Sequence, residues 1–440
     1  MKTHVKALVV GGGAVGTSIA YHLARAGWAD VMLLERDELT SGSTWHAAGL
    51  LPLFNMSYAT SHIHDYSVKF YKTLEEETGL NAGFYVVGNL RMAQTQERMD
   101  EYMLYAATAE TVGIPHEWLT PDDIRARWPL VRTEDLKGAI YHPTDGYINP
   151  ADVTQAMAKG ARQRGVEIVR KMQVDGYRWT GSEWVVTCTR MVEKGGNLVP
   201  SDEVVEITAE HVVTATGNHA QRTARLLGIK IPAIPVEHQY IVTEPDPALV
   251  EWRKTNPEHP VLRDADAKWY VREERGGWIL GPSERNAPAR FLYDVPESFR
   301  ADLFPLDLER IEEEYMSMIH RIPSSETVGL KDDYNGPICY TPRRQPAGRA
   351  GAGTAQHVAG RGLFLRDHGG GRHGVLPRPD DGGRRGRDRH GQPRPQALRR
   401  LDDDRVCRAQ ERGMLRARLH PAPPRRGAPG LPTLAHLARL

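Results

Sequence analysis

The chain has 440 residues, of which 40% are hydrophobic, and a formal net charge of +1. This length supports two medium-sized domains with hydrophobic cores and excludes a small fold held together by disulfides. No stretch approaches the roughly 20 apolar residues that span a bilayer, and the first residues lack signal-peptide features, so we expect a soluble, cytoplasmic protein without a membrane partner. The cysteines stand apart, without the paired spacing of disulfides or of a cysteine metal site; they are Cys188, Cys339 and Cys407.

The N-terminal segment has the pattern of a strand, a tight turn, a helix and a second strand. An apolar run ends in glycines at residues 11–13, and the residues that follow place apolar side chains at helical spacing as far as Gly27. The apolar run VMLLER at 31–36 predicts the second strand. This order predicts a βαβ unit with two parallel, neighbouring strands and a right-handed crossover.

Helices and strands alternate at first, and strands dominate after about residue 165. Further helical patterns lie near residues 58–78, 95–112, 121–127 and 150–164. The strand-like runs are FYVVGNLRMA, KGAIYH, VEIVR, EWVVTCTR, EVVEITAEHVVTATG, HQYIVTE, AKWYVREE and GGWILGP. We predict an α/β fold in which a Rossmann-like βαβ domain is interleaved with a substrate domain built on a mixed or antiparallel sheet. The predicted division is 1–82 and 141–228 for the nucleotide domain, and 83–140 and 229–340 for the substrate domain.

A GxGxxG motif is formed by Gly11, Gly13 and Gly16 between the first strand and the helix. Such glycines allow a tight turn, close approach to a pyrophosphate and close packing of the helix on the sheet. Glu35 ends the second strand, where a carboxylate accepts hydrogen bonds from a ribose hydroxyl. The combination predicts dinucleotide binding; a purely structural glycine turn is the alternative.

A loop of small residues, SGSTWHAAGLL at 41–51, follows the acidic strand end. Its glycine and alanine residues permit close approach of the backbone to a flat cofactor. His46 within it has two interpretations. A neutral imidazole can attack the 8α-methyl carbon of an oxidised flavin and form a covalent link, or the ring can be a packed, hydrogen-bonded residue.

At this point the sequence resembles the glycine-oxidase-like flavoproteins of the D-amino-acid-oxidase superfamily, and within them the dimethylglycine and sarcosine dehydrogenases. The resemblance covers most of residues 5–342, and STWHAAGL is its most specific string. The resembling strings are GGGAVG, LLERDELTSGSTWHAAGLL, DYSVKFYKTLEEETG, DGYINPADV, VVTATGNHA, PVEHQYIVTE, PVLRDADAKWYVREE, ILGPSE and NGPICYTP.

The resemblance implies that the cofactor is FAD and that His46, which matches the family's linking histidine, carries it covalently. It also implies cofactor contacts at Ser43, Leu50, Val174 and Gly217. A tightly but noncovalently held flavin is the alternative.

The resemblance further implies oxidative N-demethylation of a small N-methylated amino acid, dimethylglycine or sarcosine, by hydride transfer to flavin N5. His238 and Tyr270 match the family's active-site histidine and tyrosine. A histidine titrates near the working pH and can help to deprotonate the bound amine, and a tyrosine hydroxyl can orient the substrate. Arg91 and Arg272 are possible carboxylate clamps, although a solvated surface arginine is the commoner case.

Two questions stay open at this stage. Oxygen or an electron-transfer flavoprotein can reoxidise the flavin. The alternative function is that of a catalytically silent, flavoprotein-like regulatory subunit or an inactive truncated product.

The last hundred residues differ in composition from the rest of the chain. Residues 341–440 contain 22 Arg, 7 Asp and 1 Glu, a formal charge of about +14, and they lack Lys, Ile, Asn, Ser, Tyr and Trp. Such a composition does not support a packed core, and it predicts a disordered tail. A basic tail that binds nucleic acid or a membrane is one explanation, but we predict neither partner.

A change of reading frame is the explanation that we favour. Reverse translation of AQHVAGRGLFLRDHGGGRHG, read one base later, permits NMWLAEGFSFGITAAGGTG, which is the Gly-rich segment that the family resemblance implies at this point. We interpret residues 341–440 as out of frame after an inserted base near the codons for Pro342 and Arg343. The flavin site of the chain as printed is then expected to be incomplete.

Overall fold

The computed structural model describes residues 1–284, 286–341, 348–350 and 357–360. The strands are β1 (His4–Val10), β2 (Val31–Leu34), β3 (Leu50–Leu51), β4 (Phe84–Tyr85), β5 (Asn89–Ala93), β6 (Glu117–Leu119), β7 (Gly138–His142), β8 (Gly146–Ile148), β9 (Glu167–Val169), β10 (Met172–Trp179), β11 (Trp184–Lys194), β12 (Asn197–Thr214), β13 (Ile234–Thr243), β14 (Val261–Asp264), β15 (Trp269–Glu274), β16 (Gly277–Pro282), β17 (Leu330–Tyr340), β18 (Gly348–Ala350) and β19 (His357–Gly360). The helices are α1 (Ala14–Arg25), α2 (Tyr58–Thr78), α3 (Gln96–Val112), α4 (Pro121–Arg127), α5 (Pro150–Gln163), α6 (Ala220–Leu226), α7 (Pro247–Trp252) and α8 (Glu312–Arg321). Short 3₁₀ helices span Gly217–His219, Glu309–Ile311 and Pro323–Thr327.

The first sheet contains the predicted βαβ unit. Its main strand order is β10-β11-β12-β1-β2-β9. β1 pairs in parallel with β2 and with β12, and β2 pairs in parallel with β9. The carboxyl ends of β1, β2 and β12 therefore meet at one edge of the sheet, which is where ligands bind in open α/β sheets.

The second sheet is mostly antiparallel. Its order is β17-β13-β16-β15-β14-β5-β7-β6, and β14 and β5 form a parallel pair within it. β3, β8 and β4 form a small third sheet. The predicted combination of a Rossmann-like unit with a mixed sheet is confirmed, whereas the domain boundaries drawn from the sequence stay predictions.

Helices cover one face of the first sheet. Side chains of α1, α2 and α5, among them Tyr21, Leu74 and Met157, form a core with Val9 and Leu33 from the central strands. The opposite face has a separate core around the alternate strand residues, with Leu8, Met32, Val186 and Val212 as members. Burial on both faces explains why β2 and the last four residues of β1 form unbroken apolar runs.

The second sheet also has two distinct faces. Trp269, Val271 and Trp278 point into a core that includes Ile311 and Met318 near and within α8. On the other face, Tyr270 and Ile279 of the same strands belong to another cluster, together with Leu50, Tyr240, Val242 and Val261. This second face is the one that carries the predicted active-site tyrosine.

Two short segments differ from the prediction of a disordered tail, because they form the strands β18 and β19. β19 pairs in parallel with Val212–Thr214 of β12, and β18 pairs with β19. The pairing of β11 with β12 ends at Ala209, so the last residues of β12 have a free backbone edge on that side, which β19 fills. The rest of the predicted tail, together with the reading-frame hypothesis, lies outside the described residues.

None of the helices in the described part of the chain has the length and apolarity that a membrane span requires. Among the same residues, no group of three or more histidine, cysteine, aspartate or glutamate side chains is arranged to hold a metal ion. Cys188 and Cys339 are both buried free thiols.

Candidate active site

A cavity runs along the carboxyl ends of β1, β2 and β12 and reaches the second sheet. Nine of the predicted site residues line it: Gly11, Gly13, Glu35, Ser43, His46, Val174, Gly217, His238 and Tyr270. Gly16 and Leu50 do not. The cavity thus connects the predicted dinucleotide loop with the predicted catalytic residues.

The glycine loop is shaped by close backbone contacts. Gly11 has φ +114°, and a Cβ there would lie 2.3 Å from the Ala215 carbonyl oxygen. A Cβ on Gly16 would lie 1.8 Å from the carbonyl oxygen of Gly11. Gly16 therefore allows α1 to pack closely against the loop, although it does not line the cavity. Gly13 is the N-cap of α1. The loop and the start of a 12-residue helix together form a site of the type that binds a phosphate group.

Glu35 follows β2 directly and faces the glycine loop. Its carboxylate accepts hydrogen bonds from the backbone N–H groups of Gly12 (2.6 Å) and Asp37 (2.9 Å). Burial raises the pKa of Glu35, and the two backbone donors oppose that shift. The carboxylate is therefore held in place at the loop, as the ribose-binding prediction requires.

His46 is buried beside the second sheet, with a relative exposure of 4%. Its ring packs over the backbone of Gly336, where an added Cβ would lie 2.4 Å from Cε1 of the imidazole. Burial lowers the pKa of His46 from 6.5 to about 4, so the ring is neutral at physiological pH. Its Nε2 has no hydrogen-bond partner among the described residues. A neutral, unpartnered ring nitrogen at the cavity is what nucleophilic attachment requires.

The flavin loop is tied to the end of the second sheet through Ser43. The Ser43 hydroxyl donates to the carbonyl oxygen of Pro337 (2.7 Å), and the Asn218 amide donates to Ser43 Oγ (3.0 Å). Gly217, with φ +50°, has open space around it, and Val174 of β10 lies nearby in the wall. These contacts bring residues from three distant parts of the sequence to one wall of the cavity.

Leu50, which was predicted as a cofactor contact, does not line the cavity. It is fully buried in the cluster with Tyr240 and Tyr270, and it pairs with Tyr147 between β3 and β8. The small residues before it, Ala47 and Ala48, line the cavity instead. The chain turns away from the cavity at Gly49, where φ is +71°.

His238 and Tyr270 come from β13 and β15 and both line the cavity. His238 Nδ1 lies 3.6 Å from Oε1 of Glu284. Glu284 accepts a hydrogen bond from the Gln239 N–H (2.9 Å) and pairs with Arg310. The carboxylate beside the histidine is therefore fixed by two further groups.

The Tyr270 ring lies across a glycine. Gly281 is its direct partner on β16, and a Cβ at that position would lie 1.9 Å from Cζ of Tyr270. On the same face, the rings of Tyr240 and Tyr334 stack at 4.7 Å with an interplanar angle of 12°. The glycine and the stacked pair together restrict where the Tyr270 ring can lie.

Several cavity-lining residues were not predicted from the sequence. Arg36, Asp37, Asn218 and His219 directly follow β2 or β12, and the rule that ligands bind beyond the carboxyl ends of strands could have identified them. Arg222 and Arg300 carry no comparable local signal. Ser41, Thr44 and Trp45 also line the cavity and lie in the loop that was predicted to approach the cofactor. The remaining unpredicted polar or aromatic members are Gln173, Tyr177, Thr216, Thr223, Tyr240, Phe299 and Asp302.

The cavity walls fit a large polar cofactor. Five buried polar atoms at the cavity have no hydrogen-bond partner among the described residues: His46 Nε2, Gln173 Oε1, Asn218 Oδ1, His219 Nδ1 and Arg222 Nε. Buried polar atoms in native proteins are nearly always paired. Their concentration at one cavity, beside a glycine loop and a ribose-type carboxylate, matches the polar groups of FAD.

Arg272, one of the two possible carboxylate clamps, contacts residues of the second and third sheets. Its Nη1 donates to Glu274 (2.7 Å), and its guanidinium lies 4.3 Å from the centre of the Tyr147 ring. These contacts occupy its guanidinium, and it does not line the cavity.

We expect four buried histidines to lower the free energy of unfolding as the pH falls from about 6.5 toward 4. Burial lowers the histidine pKa values from 6.5 to about 4 for His22 and His46, and to about 3 for His142 and His219. At these four sites the unfolded state binds more protons in this window, so their contribution to stability rises with pH through it and is fully present above 6.5. Urea unfolding at several pH values measures the slope. Substituting His142 with Gln should reduce that slope by about 1.4 kcal/mol per pH unit, and an unchanged slope would contradict the assignment.

We expect Asp37→Asn to destabilise the protein by about 1–2 kcal/mol. Asp37 is buried and accepts two hydrogen bonds of 2.7 Å from the Arg300 guanidinium, which ties the segment after β16 to the end of β2. The matched control is Glu38→Gln, because the Glu38–Arg170 pair next to it is exposed. Urea midpoints should separate the two variants; equal midpoints would show that the bidentate pair contributes nothing.

The comparisons with known proteins agree with this geometry. The family model for FAD dependent oxidoreductases matches residues 6–377. The chain is 36% identical over 347 residues to the mitochondrial dimethylglycine dehydrogenase of Rattus norvegicus, covering 78% of this chain and 38% of that protein. It is 32% identical over 360 residues to the mitochondrial sarcosine dehydrogenase of Homo sapiens, covering 81% of this chain and 37% of that protein.

The chain therefore spans less than two fifths of the length of these curated relatives. Among solved structures, L-proline dehydrogenase from P. horikoshii superposes with a TM-score of 0.70 at 23% identity, covering 85% of this chain and 91% of that one. This likeness shows the fold. With the glycine loop, the ribose-type carboxylate and the family match in agreement, the chain belongs to the FAD-dependent oxidoreductase family.

Proposed function

We propose that the chain binds FAD in this cavity and oxidises a small N-methylated amino acid, dimethylglycine or sarcosine, at its N-methyl carbon. The observation that carries the proposal is that one cavity joins the dinucleotide loop to His46, His238 and Tyr270. The names of the two curated relatives supply the substrate class. Bound FAD would accept the hydride from the N-methyl carbon, and the resulting iminium would react with water to give formaldehyde or be captured by folate.

His238 is proposed to keep the substrate amine unprotonated. Only an amine with a free lone pair can release hydride from the adjacent carbon, so a proton must leave the nitrogen first. The Glu284 carboxylate lies 3.6 Å from His238 Nδ1 and favours the protonated ring once the imidazole has accepted that proton. Tyr270 is proposed to orient the amine through its hydroxyl group.

His46 is proposed to hold the cofactor covalently. Its Nε2 would bond to the 8α-methyl carbon with the loss of two protons, one from the ring and one from the methyl group. The two electrons released would pass to an acceptor such as oxygen. The supporting features are the neutral ring and the unpartnered Nε2 described above.

The reading-frame hypothesis leads to its own prediction. Sequencing the gene across codons 335–350 from independently prepared DNA should show one base fewer than the printed chain requires. The restored protein should then retain more flavin, because the Gly-rich segment supplies backbone amides to the cofactor. A sequence that keeps the extra base, or equal flavin contents in the two proteins, would contradict it.

Formaldehyde release tests the proposed reaction. Sarcosine or dimethylglycine should yield formaldehyde in the presence of oxygen or an electron-transfer dye, and glycine, which has no N-methyl group, should yield none. Comparing the two acceptors also shows whether oxygen serves in reoxidation. A protein that retains flavin but releases no formaldehyde would favour the alternative of a silent regulatory relative.

A further inference from the structure

A surface segment between β16 and α8 reaches from the second sheet to the first. We call residues 291–303 the cover segment. Four of its residues line the cavity, namely Val295, Phe299, Arg300 and Asp302. Tyr293 of the same segment is 83% exposed to solvent. The cover segment therefore forms an outer wall of the cavity, with the cavity on one side and solvent on the other.

Both ends of the cover segment are fastened to the second sheet. Just before it, the Arg290 N–H donates to the Pro235 carbonyl (2.8 Å). Just after it, the Phe304 N–H donates to the Asn335 carbonyl (2.7 Å). Pro235 and Asn335 belong to the neighbouring strands β13 and β17. The segment therefore leaves and returns at the same pair of strands, as a compact surface loop with close ends does.

Between these ends, the cover segment packs mainly on itself. Its backbone makes no backbone–backbone hydrogen bond with another part of the described chain, and none of its residues belongs to the hydrophobic cores of the two sheets. The centre of the Phe299 ring lies 4.9 Å from that of Phe291 and 5.3 Å from that of Phe304. A loop that is held together by its own side chains can move as a unit.

Charged side chains hold the cover segment against the first sheet at two points. The first, which we call the inner latch, is the pair in which Arg300 donates two hydrogen bonds of 2.7 Å to Asp37. In the second, the outer latch, Arg225 of α6 donates to the Asp294 carboxylate and to the Tyr293 carbonyl. Because these contacts are ionic and lie outside the hydrophobic cores, they can open without disturbing either core.

The inner latch lies beside the predicted ribose site. The Asp37 N–H donates to the Glu35 carboxylate (2.9 Å), which is the group predicted to bind the ribose of the cofactor. Phe299, next to Arg300 in the chain, also lines the cavity, and an aromatic ring there suits the flat adenine base. The cover segment therefore lies at the end of the cavity that would receive the adenosine half of FAD.

We propose that the cover segment is a latched lid over the adenosine half of FAD, and that the nucleotide enters and leaves when the two latches open. This inference rests on the proposed function, because it takes the Glu35 end of the cavity as the site of the adenosine ribose. A lid controls association and dissociation together, since both require the open state. A residue that merely contacts the bound nucleotide changes mainly the dissociation rate.

The test measures the exchange of ADP, which contains the adenosine half of FAD and requires no flavin site. The full 440-residue chain is used with His46→Ala throughout, so that no flavin is attached covalently and any bound flavin can be dialysed away. Calorimetric titration gives the Kd, and phosphorus NMR line shapes give the dissociation rate; together they give the association rate. Adding Arg300→Gln should raise both rates by about tenfold and leave the Kd within about threefold of its starting value.

Two further variants complete the test. Arg225→Gln breaks the outer latch at an exposed side chain that does not line the cavity, and it should raise both rates by about twofold. The matched control is Arg170→Gln. Arg170 is equally exposed and pairs with Glu38, next to Asp37, without contacting the cover segment, so both rates should stay unchanged.

Three results would overturn the proposal: no ADP binding before the latch variants are introduced, unchanged rates in both latch variants, or a rise in the dissociation rate alone. If Arg300→Gln fails to fold, Arg225→Gln decides by itself, because an exposed substitution leaves the cores intact. Failure of the proposed function would show separately, as an absence of formaldehyde from N-methyl substrates while the latch variants still accelerate the exchange of ADP.

Discussion

Replacing His46 with alanine is expected to leave a protein whose flavin is released completely by acid, whereas the parent protein keeps flavin attached after precipitation. The reason is that His46 supplies a neutral, unpartnered Nε2 at the cavity, and alanine has no nucleophile. The comparison is made in the protein with its reading frame restored, where flavin loading should be highest. The measured quantity is the acid-stable fraction of the bound flavin, which does not depend on the loading.

A second variant tests the position of the ring without removing it. Gly336→Ala places a Cβ 2.4 Å from Cε1 of His46, so the ring must move and the acid-stable fraction should fall. His4→Ala, at an exposed site, should leave the fraction unchanged. Acid-stable flavin in the alanine variant of His46 would refute the covalent assignment and favour tight noncovalent binding.

Gly16→Ala is expected to destabilise the protein by about 3 kcal/mol or more and to abolish flavin retention. The added Cβ would lie 1.8 Å from the Gly11 carbonyl oxygen. That oxygen belongs to backbone that is itself held against Ala215 and Leu34, so neither side can move away cheaply. The urea midpoint and the flavin absorbance of the purified protein measure the two effects.

The matched substitution is Gly329→Ala. Gly329 is an exposed glycine without a positive φ, and its Cβ would meet Glu244 Cγ at an ordinary 3.7 Å. We expect it to change the unfolding free energy by no more than about 0.5 kcal/mol. If Gly16→Ala were equally well tolerated, close packing of α1 on the loop would not be required.

The parts of the fold that the sequence predicted are those with long, regular patterns. The βαβ unit and the helices α2 to α5 have enough turns, or sharp enough ends, for their periodicity to be read directly. α6 and α7 have only seven and six residues. Segments this short do not repeat the helical period often enough for it to be recognised in the sequence. α8 could have been found, since its first turn is acidic and its last turn is basic.

Strand β17 of the second sheet could not be predicted from its composition. It contains aspartates, a glycine and Pro337, residues that are depleted in strands. It forms because it is the edge strand beside β13, where a proline is tolerated. The run FYVVGNLRMA misled in another way, because it divides into β4 and β5 in two different sheets.

The residues of the candidate site also divide into those that lie in a recognisable local sequence pattern and those that do not. Gly11, Glu35 and His46 could be predicted because each lies within a short segment that carries its own pattern. Arg222 and Arg300 reach the cavity only through tertiary structure, the latter by its pair with Asp37 across 263 positions. Leu50 was predicted as a cofactor contact from the family resemblance, whereas the structure places it in β3, outside the lining of the cavity.

The measurement that tests the central claim most directly is the flavin absorbance under anaerobic conditions with dimethylglycine or sarcosine. We predict that the visible flavin band bleaches with either substrate and returns on admission of an electron acceptor. Betaine, whose quaternary nitrogen has no lone pair, should leave the band unchanged. A flavin-loaded protein whose band is unaffected by dimethylglycine and sarcosine would contradict the account.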